Sequence, residues 1–295
     1  DLVLITAVIS LLIIVIMLRN FQRMQIQLNS IAAGHQERGL SRGGFREFYR
    51  MSGAINRILN RYSELENSRQ EFVSNVSHEL KTPLTSMKIL ADSLIGQQGV
   101  PEELYQEFIV DISNETVRAN QIIQDLLYLV KMDGTNQAAM NVKPTNINEL
   151  LEVLLKRISP IAAKRDITIH LETIREVVAE VDEVKLALAC NNLIENAVKY
   201  NKDGGRVDVS LNADHKFFYI RIKDTGCGIP EDSQQQIFER FYRVDKARSR
   251  ETGGTGLGLA ITRKVLLMHK GSIKVHSQEG NGSTFIVRVP LNYIE

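Results

Sequence analysis

His78 stands in the stretch F-V-S-N-V-S-H-E-L-K-T-P, residues 72–83, beside Glu79 and one helical turn before Thr82. An imidazole with an ordinary pKa near ~6.5 is largely neutral at neutral pH and keeps one ring nitrogen free for attack. A neighbouring carboxylate can take the proton from the other nitrogen, so the pair suits nucleophilic chemistry. Metalloprotease chemistry is excluded, because H-E-x-x-H needs a second histidine where this sequence has Thr82. Val73, Val76, Leu80, Met87, Leu90 and Leu94 recur at helical spacing, and His78 lies off that seam. Pro83 lacks a backbone donor and clashes with the Glu79 carbonyl, so the spacing predicts a helix that bends just past the histidine.

Three further patterns, all beyond residue 190, suit a nucleotide. In N-N-L-I-E-N-A-V-K-Y-N, starting at Asn191, Asn192 and Asn196 are four apart with Leu193 and Ala197 behind them, an amide face over an apolar one. An amide oxygen is a neutral, hard ligand suited to Mg²⁺, and Lys199 can balance phosphate charge. D-T-G-C-G-I-P puts Asp224 at a strand end with Gly226 and Gly228 after it. A buried carboxylate there accepts from an exocyclic amine, which selects adenine over guanine. In G-G-T-G-L-G-L, from residue 253, Gly254, Gly256 and Gly258 leave backbone N–H groups free to face phosphate at a helix start. Arg243, Lys246, Arg248 and Arg250 precede it and add positive charge on an expected lid. Taken singly, glycine runs are also plain turns and paired asparagines also caps, and neither glycine run matches a standard phosphate fingerprint.

These residues need elements to hold them. Leu2 to Leu18 is an uncharged apolar run of 17 residues, about 26 Å as a helix, just short of the ~30 Å hydrocarbon core. Arg19 and Arg23 follow it, whereas a signal peptide carries its charge first. Residues 1–19 therefore read as a transmembrane helix, with the chain after about residue 19 cytoplasmic at the cell membrane. The start at Asp1, straight into this run, leads us to expect further sequence upstream. Phe21, Met24, Leu28 and Ile31 continue the helix to Gly34, a glycine-containing connector spans 35–47, and a second seam runs from Met51 through Leu65 toward His78. Gly96 to Pro101 breaks that helix, and Phe108, Ile112, Ala119, Ile122, Leu126 and Leu129 mark the next. Two amphipathic helices joined by a short loop cannot cover both apolar stripes, so two copies are expected to pair as a four-helix bundle.

Lys131 to Pro144 has no periodicity and marks a domain boundary. Beyond it helices are expected over 148–158 and 184–200, and alternating strands over 167–171, 206–211, 217–222, 272–276 and 283–289. Helices beside such a sheet make an α+β sandwich. The net charge of +1 gives no electrostatic case for nucleic acid, and Cys190 and Cys227 form no metal-type pair.

The stretch at 72–83 resembles the phospho-acceptor motif of bacterial sensor histidine kinases. The later segments, with I-F-E-R-F-Y-R from Ile237 and G-S-T-F from Gly282, resemble in order the N, G1, F and G2 boxes and last strand of the ATPase fold those kinases share with Hsp90, gyrase and MutL. Helix, connector and helix over 20–65 resemble a HAMP relay. The layout implied is a multidomain chain: transmembrane helix 1–19, HAMP-like coiled coil 20–65, dimerisation and phosphotransfer hairpin 66–132, and catalytic ATP-binding sandwich 143–295.

By resemblance Asn196 binds Mg²⁺, Asn192 lies near the phosphates, Lys199 and Arg243 hold phosphate, and Tyr200 packs near the nucleoside. Asp224 recognises adenine with water-mediated help from Thr284, while Gly226, Gly228, Gly254, Gly256 and Gly258 shape pocket and lid. His78 is the acceptor, Glu79 its base, and Thr82 the residue that positions water when the regulator is dephosphorylated. ATP, Mg²⁺, a homodimeric partner and the receiver domain of a response regulator follow from the same resemblance. Cys227 departs from it, since the family more often has a branched aliphatic residue there. Two other classes compete: an ATP-driven clamp, which needs no acceptor histidine, and a non-catalytic scaffold, which needs no intact Asn196, Asp224 and glycine run.

Overall fold

In the structure, a computed structural model that describes residues 2–32, 46–96, 101–133, 140–244 and 254–293, the chain divides into two units, Asp1–Val76 and Ser77–Glu295. In the first unit α1 (Leu2–Ala32) is exposed at every position from Leu2 to Arg19. It is long and apolar enough to cross a membrane. The first unit also holds the beginning of α2 (Arg46–Gly96), one 51-residue helix that passes through Pro83 without interruption. The connector over 35–45 and the turn over 97–100 lie outside the described residues.

In the second unit α2 is followed by α3 (Glu102–Asp133), whose Thr116 Oγ1 donates to Met87 Sδ at 3.1 Å. Leu84, Ile89, Ile95, Ile109, Val117 and Ile123 remain exposed on these two helices. The rest of the unit is β1 (Val142–Asn146), α4 (Ile147–Ala163), β2 (Thr168–Thr173), β3 (Val178–Asp182), α5 (Glu183–Lys199), β4 (Arg206–Ala213) and β5 (Phe217–Asp224), then α6 (Gly258–Met268), β6 (Ser272–Gln278) and β7 (Gly282–Pro290). Five strands form a sheet in the order β2-β4-β5-β7-β6, parallel only between β2 and β4. Every second residue of the central strands is buried: Val207, Val209 and Leu211, then Phe218, Ile220 and Ile222, then Phe285, Val287 and Val289. Leu151 of α4 and Leu186, Leu193 and Ile194 of α5 pack in the same core, as a half-buried sheet requires.

The strands and helices expected beyond residue 144 are all present; most run a few residues longer, while α5 is shifted by one residue and β2 starts one residue later. A second sheet was not foreseen: β1 pairs with β3 antiparallel, and β1 begins inside the expected boundary segment. Each of its strands ends on a helix cap. Asn146 accepts from the N–H groups of Asn148 and Glu149, and Asp182 from that of Lys185, so the little sheet fixes where α4 and α5 begin.

Asp182 is the hub of this corner. Its carboxylate also accepts from Asn141 N–H at 3.0 Å and pairs with Lys185 Nζ. Burial pushes that carboxyl up, but the bonds from Lys185 and Asn141 outweigh it and hold it below the usual range. The Asp182 N–H donates to His269 Nε2 at 3.0 Å, and His269 Nδ1 meets the Val265 carbonyl at 2.9 Å, so the ring is neutral with its proton on Nδ1. His269 is only 2 % exposed, and burial pushes its pKa down. A ring with a depressed folded pKa contributes stability that is complete above its unfolded value of ~6.5 and is lost as pH falls. Thermal denaturation between pH 7 and 5 is expected to show Tm falling in the wild type. His269→Gln is expected to be less stable at pH 7, by about 1–3 kcal/mol, with a flatter slope. An unchanged slope would assign the acid sensitivity elsewhere.

Candidate nucleotide site and phosphoacceptor

Helix α5 carries the amide face on the side opposite its buried residues Leu193, Ile194, Ala197 and Val198. Asn192 Nδ2 donates to the carbonyl of Gly258, the first residue of α6, at 3.2 Å. The Asn196 side chain is half-buried and has no hydrogen-bond partner among the described residues. Lys199 sits one turn on. Burial, with Arg243 next and Arg118 adding to it against the pull of Glu195, pushes its ammonium pKa down to about 8. A cation in that condition is stabilised by an anion brought beside it. Its Nζ lies 5.5 Å from the centre of the Tyr200 ring.

Asp224 closes β5 at 6 % exposure. Its Oδ1 accepts from Gly226 N–H at 2.8 Å and Ser283 N–H at 3.2 Å, and no other residue bonds Oδ2 among the described residues. Burial pushes its carboxyl above the usual range, against those donors. The glycines beside it serve backbone contacts rather than a ligand directly. A Cβ on Gly226 would sit 2.3 Å from the Tyr200 carbonyl oxygen, and one on Gly228 (φ +71) 2.0 Å from that of Gln278. Cys227 N–H donates to Tyr200 O at 3.1 Å, which ties this loop to the end of α5.

One expected neighbour is displaced by a residue. Thr284 pairs with Lys223 and His276 across the sheet, so it lies on the face away from Asp224. Ser283 is the residue beside Asp224, and its hydroxyl meets Ser277 Oγ at 2.9 Å. The sequence held the signal, because Phe285 faces the core and period-two alternation puts Ser283 with it.

The glycine run leads into α6. A Cβ on Gly254 would meet Lys199 Nζ at 3.0 Å and Tyr200 Oη at 3.2 Å, so this loop lies against the lysine. Gly256 (φ +70) packs on the backbone of Phe241, whose N–H donates to Gly256 O at 2.9 Å. Thr255 Oγ1 accepts from Leu257 N–H at 3.2 Å and donates to Asp125 Oδ2 of α3 at 2.9 Å, a contact that no sequence pattern announces. Gly258 stands over Asn192. Lys246, Arg248 and Arg250 lie outside the described residues.

His78 is exposed on α2. Thr82 Oγ1 donates to its carbonyl at 3.1 Å, so that hydroxyl is engaged with the backbone. Glu79 Oε2 lies 3.4 Å from Arg243 Nη2, the arginine expected at the phosphates. The Arg243 side chain is 8 % exposed, and its Nη2 makes no hydrogen bond. The site residues therefore fit a nucleotide: a buried carboxylate for the base, an amide with no partner among the described residues, a half-buried lysine, and an arginine whose one ion pair is long.

Comparison with known proteins matches both halves. Residues 68–135 match the family model for the His Kinase A (phospho-acceptor) domain, and residues 181–293 that for the histidine kinase-, DNA gyrase B- and HSP90-like ATPase. The sensor histidine kinase WalK of Bacillus subtilis is 35% identical over 254 residues, 83% of this chain and 41% of the relative. A sensor protein kinase WalK of Staphylococcus aureus is 39% identical over 234 residues, 79% of this chain and 56% of the relative. The chain thus spans about two fifths to just over half the length of these curated relatives. Histidine kinase ThkA, in a crystal with response regulator protein TrrA, superposes with a TM-score of 0.63 at 22% identity, covering 78% of this chain and 66% of that one. Acinetobacter baumannii histidine kinase AdeS gives 0.60 at 21% identity, covering 72% of this chain and 98% of that one, and both show the shared fold. An acceptor helix and an ATPase sandwich in this order, both recognised by family, mean that the chain belongs to the sensor histidine kinases of bacterial two-component systems.

Proposed function

We propose that this chain is a membrane-anchored, homodimeric kinase that phosphorylates its own His78 from Mg-ATP and passes the phosphoryl group to an aspartate of a response regulator. The observation that carries this reading is the Glu79–Arg243 contact, which sets a cation of the nucleotide domain against the residue next to the acceptor. The exposed apolar residues of α2 and α3 support pairing with a second copy. The domain limits proposed are 1–19 for the membrane helix, 20–65 for the HAMP-like segment, 66–132 for the hairpin and 143–295 for the catalytic domain. Residues after about 19 face the cytoplasm, by the position of Arg19 and Arg23.

Asp224 accepts from the adenine amine, Ser283 supports it through water, and Tyr200 packs near the nucleoside. Asn192, Lys199 and Arg243 hold phosphate oxygens, and Asn196 holds Mg²⁺, which neutralises charge on the phosphates when bound. A ring nitrogen of His78 attacks the γ-phosphorus, so the N–P bond forms as the bond to the ADP oxygen breaks. Glu79 takes the proton from the other ring nitrogen. Thr82 turns from the His78 carbonyl to position water when the regulator is dephosphorylated.

Incubation with γ-labelled ATP and Mg²⁺ tests the core of this reading. Label that is acid-labile, base-stable and absent from His78→Gln and Asn196→Ala is the expected result. Label surviving in His78→Gln would move the acceptor elsewhere. Lys199 gives a pH signature as well. Its free pKa of about 8 rises beside phosphate, so binding takes up a proton above pH 8. ATP affinity is expected to be flat below pH 7 and to weaken above pH 8, by up to about tenfold per unit, and Lys199→Arg should remove that slope. A pH-independent wild type would remove Lys199 from the phosphates. Ser283→Ala is expected to weaken ATP binding about fivefold, with Thr284→Ala near wild type in the same titration. The reverse order would restore Thr284 to the adenine site.

A further inference from the structure

Two carboxylates of the helical hairpin reach the groups assigned to phosphate. Glu79 of α2 meets Arg243 Nη2 at 3.4 Å, and Asp125 of α3 accepts from Thr255 Oγ1 at 2.9 Å, in the glycine run that opens α6. Both contacts lie within the unit Ser77–Glu295. They sit beside one apolar contact in which Leu129 and Met132 of α3 pack with Leu257, Ile261 and Val265.

We propose that Glu79 and Asp125 stand where nucleotide phosphate oxygens would stand, so that the docked hairpin and ATP compete for the same donors. The inference rests on the reading that this site binds ATP. The chemistry of the two occupants is the same. A carboxylate and a phosphate each offer anionic oxygens to guanidinium, hydroxyl and N–H donors at a helix start.

The carboxylates are poorer occupants than phosphate. The Arg243 side chain is 8 % exposed, yet Nη2 makes no hydrogen bond and its ion pair is long, so Glu79 only partly satisfies it. Burial pushes the Asp125 carboxyl above its usual range, with Glu195 adding to that, while the bonds from Thr255 and Gln121 draw it back. A triphosphate carries more charge and more acceptor oxygens, and it would displace both acids. Glu79, released from Arg243, is then free to accept the proton of His78. Nucleotide binding would thus uncover the base that the reaction needs. The apolar contact between α3 and α6 opposes release, so the docked state persists without nucleotide.

The test is equilibrium binding of a non-hydrolysable ATP analogue to the whole chain in detergent. Wild type is compared with the double variant Glu79→Gln, Asp125→Asn, whose side chains keep their size and lose their charge. If the acids compete, the double variant binds the analogue more tightly, by about tenfold. Affinity equal to or weaker than wild type would overturn the competition. The kinase reading is judged separately, by whether wild type binds the analogue at all and labels His78 from ATP. Tighter binding in the double variant with no His78 label in wild type would sink the kinase reading and leave the competition standing.

Discussion

A carboxylate as far from water as that of Asp224 is tolerated only where donors are fixed on it, and much of the nucleotide domain follows from that requirement. One donor comes from Gly226, which brings its loop against the end of α5 so closely that a Cβ would strike the Tyr200 carbonyl. The other comes from Ser283, reached only because Gly282 adopts φ +89 and lets β7 begin within contact of the Asp224 carbonyl. The glycines of this region are therefore explained by one buried charge and the two chain segments that must crowd onto it. Ligand binding inherits that geometry rather than causing it.

The opposite end of α5 is held by a second carboxylate. Asp182 caps the helix, accepts from Asn141 and Lys185, and through its own N–H engages His269 at the end of α6. The helix is thus clamped at both ends, and Asn192 and Asn196 lie along the stretch between. An amide face so held has little freedom to shift against Gly258, to which Asn192 bonds. Preorganisation of this kind is what positions a phosphate or ion at low entropic cost.

What could be read in the sequence was what depends on local pattern. The alternation of Val207, Val209 and Leu211, and of Phe218, Ile220 and Ile222, gave the central strands, because period two reflects burial on one face. V-K-P-T-N and V-A-E-V-D gave no such signal. One contains a proline and both are five residues long, and each is a strand only because the other is there to pair with it. Thr284 faces away from Asp224 by one step of register, since a single step moves a side chain through the sheet. The contacts Glu79–Arg243 and Thr255–Asp125 join residues more than a hundred positions apart, and no local rule connects them. Motif resemblance named the groups in the site, while their present partners came only from the fold.

The acceptor helix has a weakness of its own at the point where chemistry is expected. Pro83 cannot donate to the Glu79 carbonyl, so one rung of the helix ladder is missing directly beside His78. One residue earlier, Thr82 Oγ1 bonds the His78 carbonyl and competes with the rung there. Two consecutive carbonyls are thus weakly held in a helix that is otherwise continuous for 51 residues. Local bending is easiest where hydrogen bonds are already absent or shared. Any strain carried along α2 would therefore be taken up at His78 and Glu79 in preference to the seam above or below.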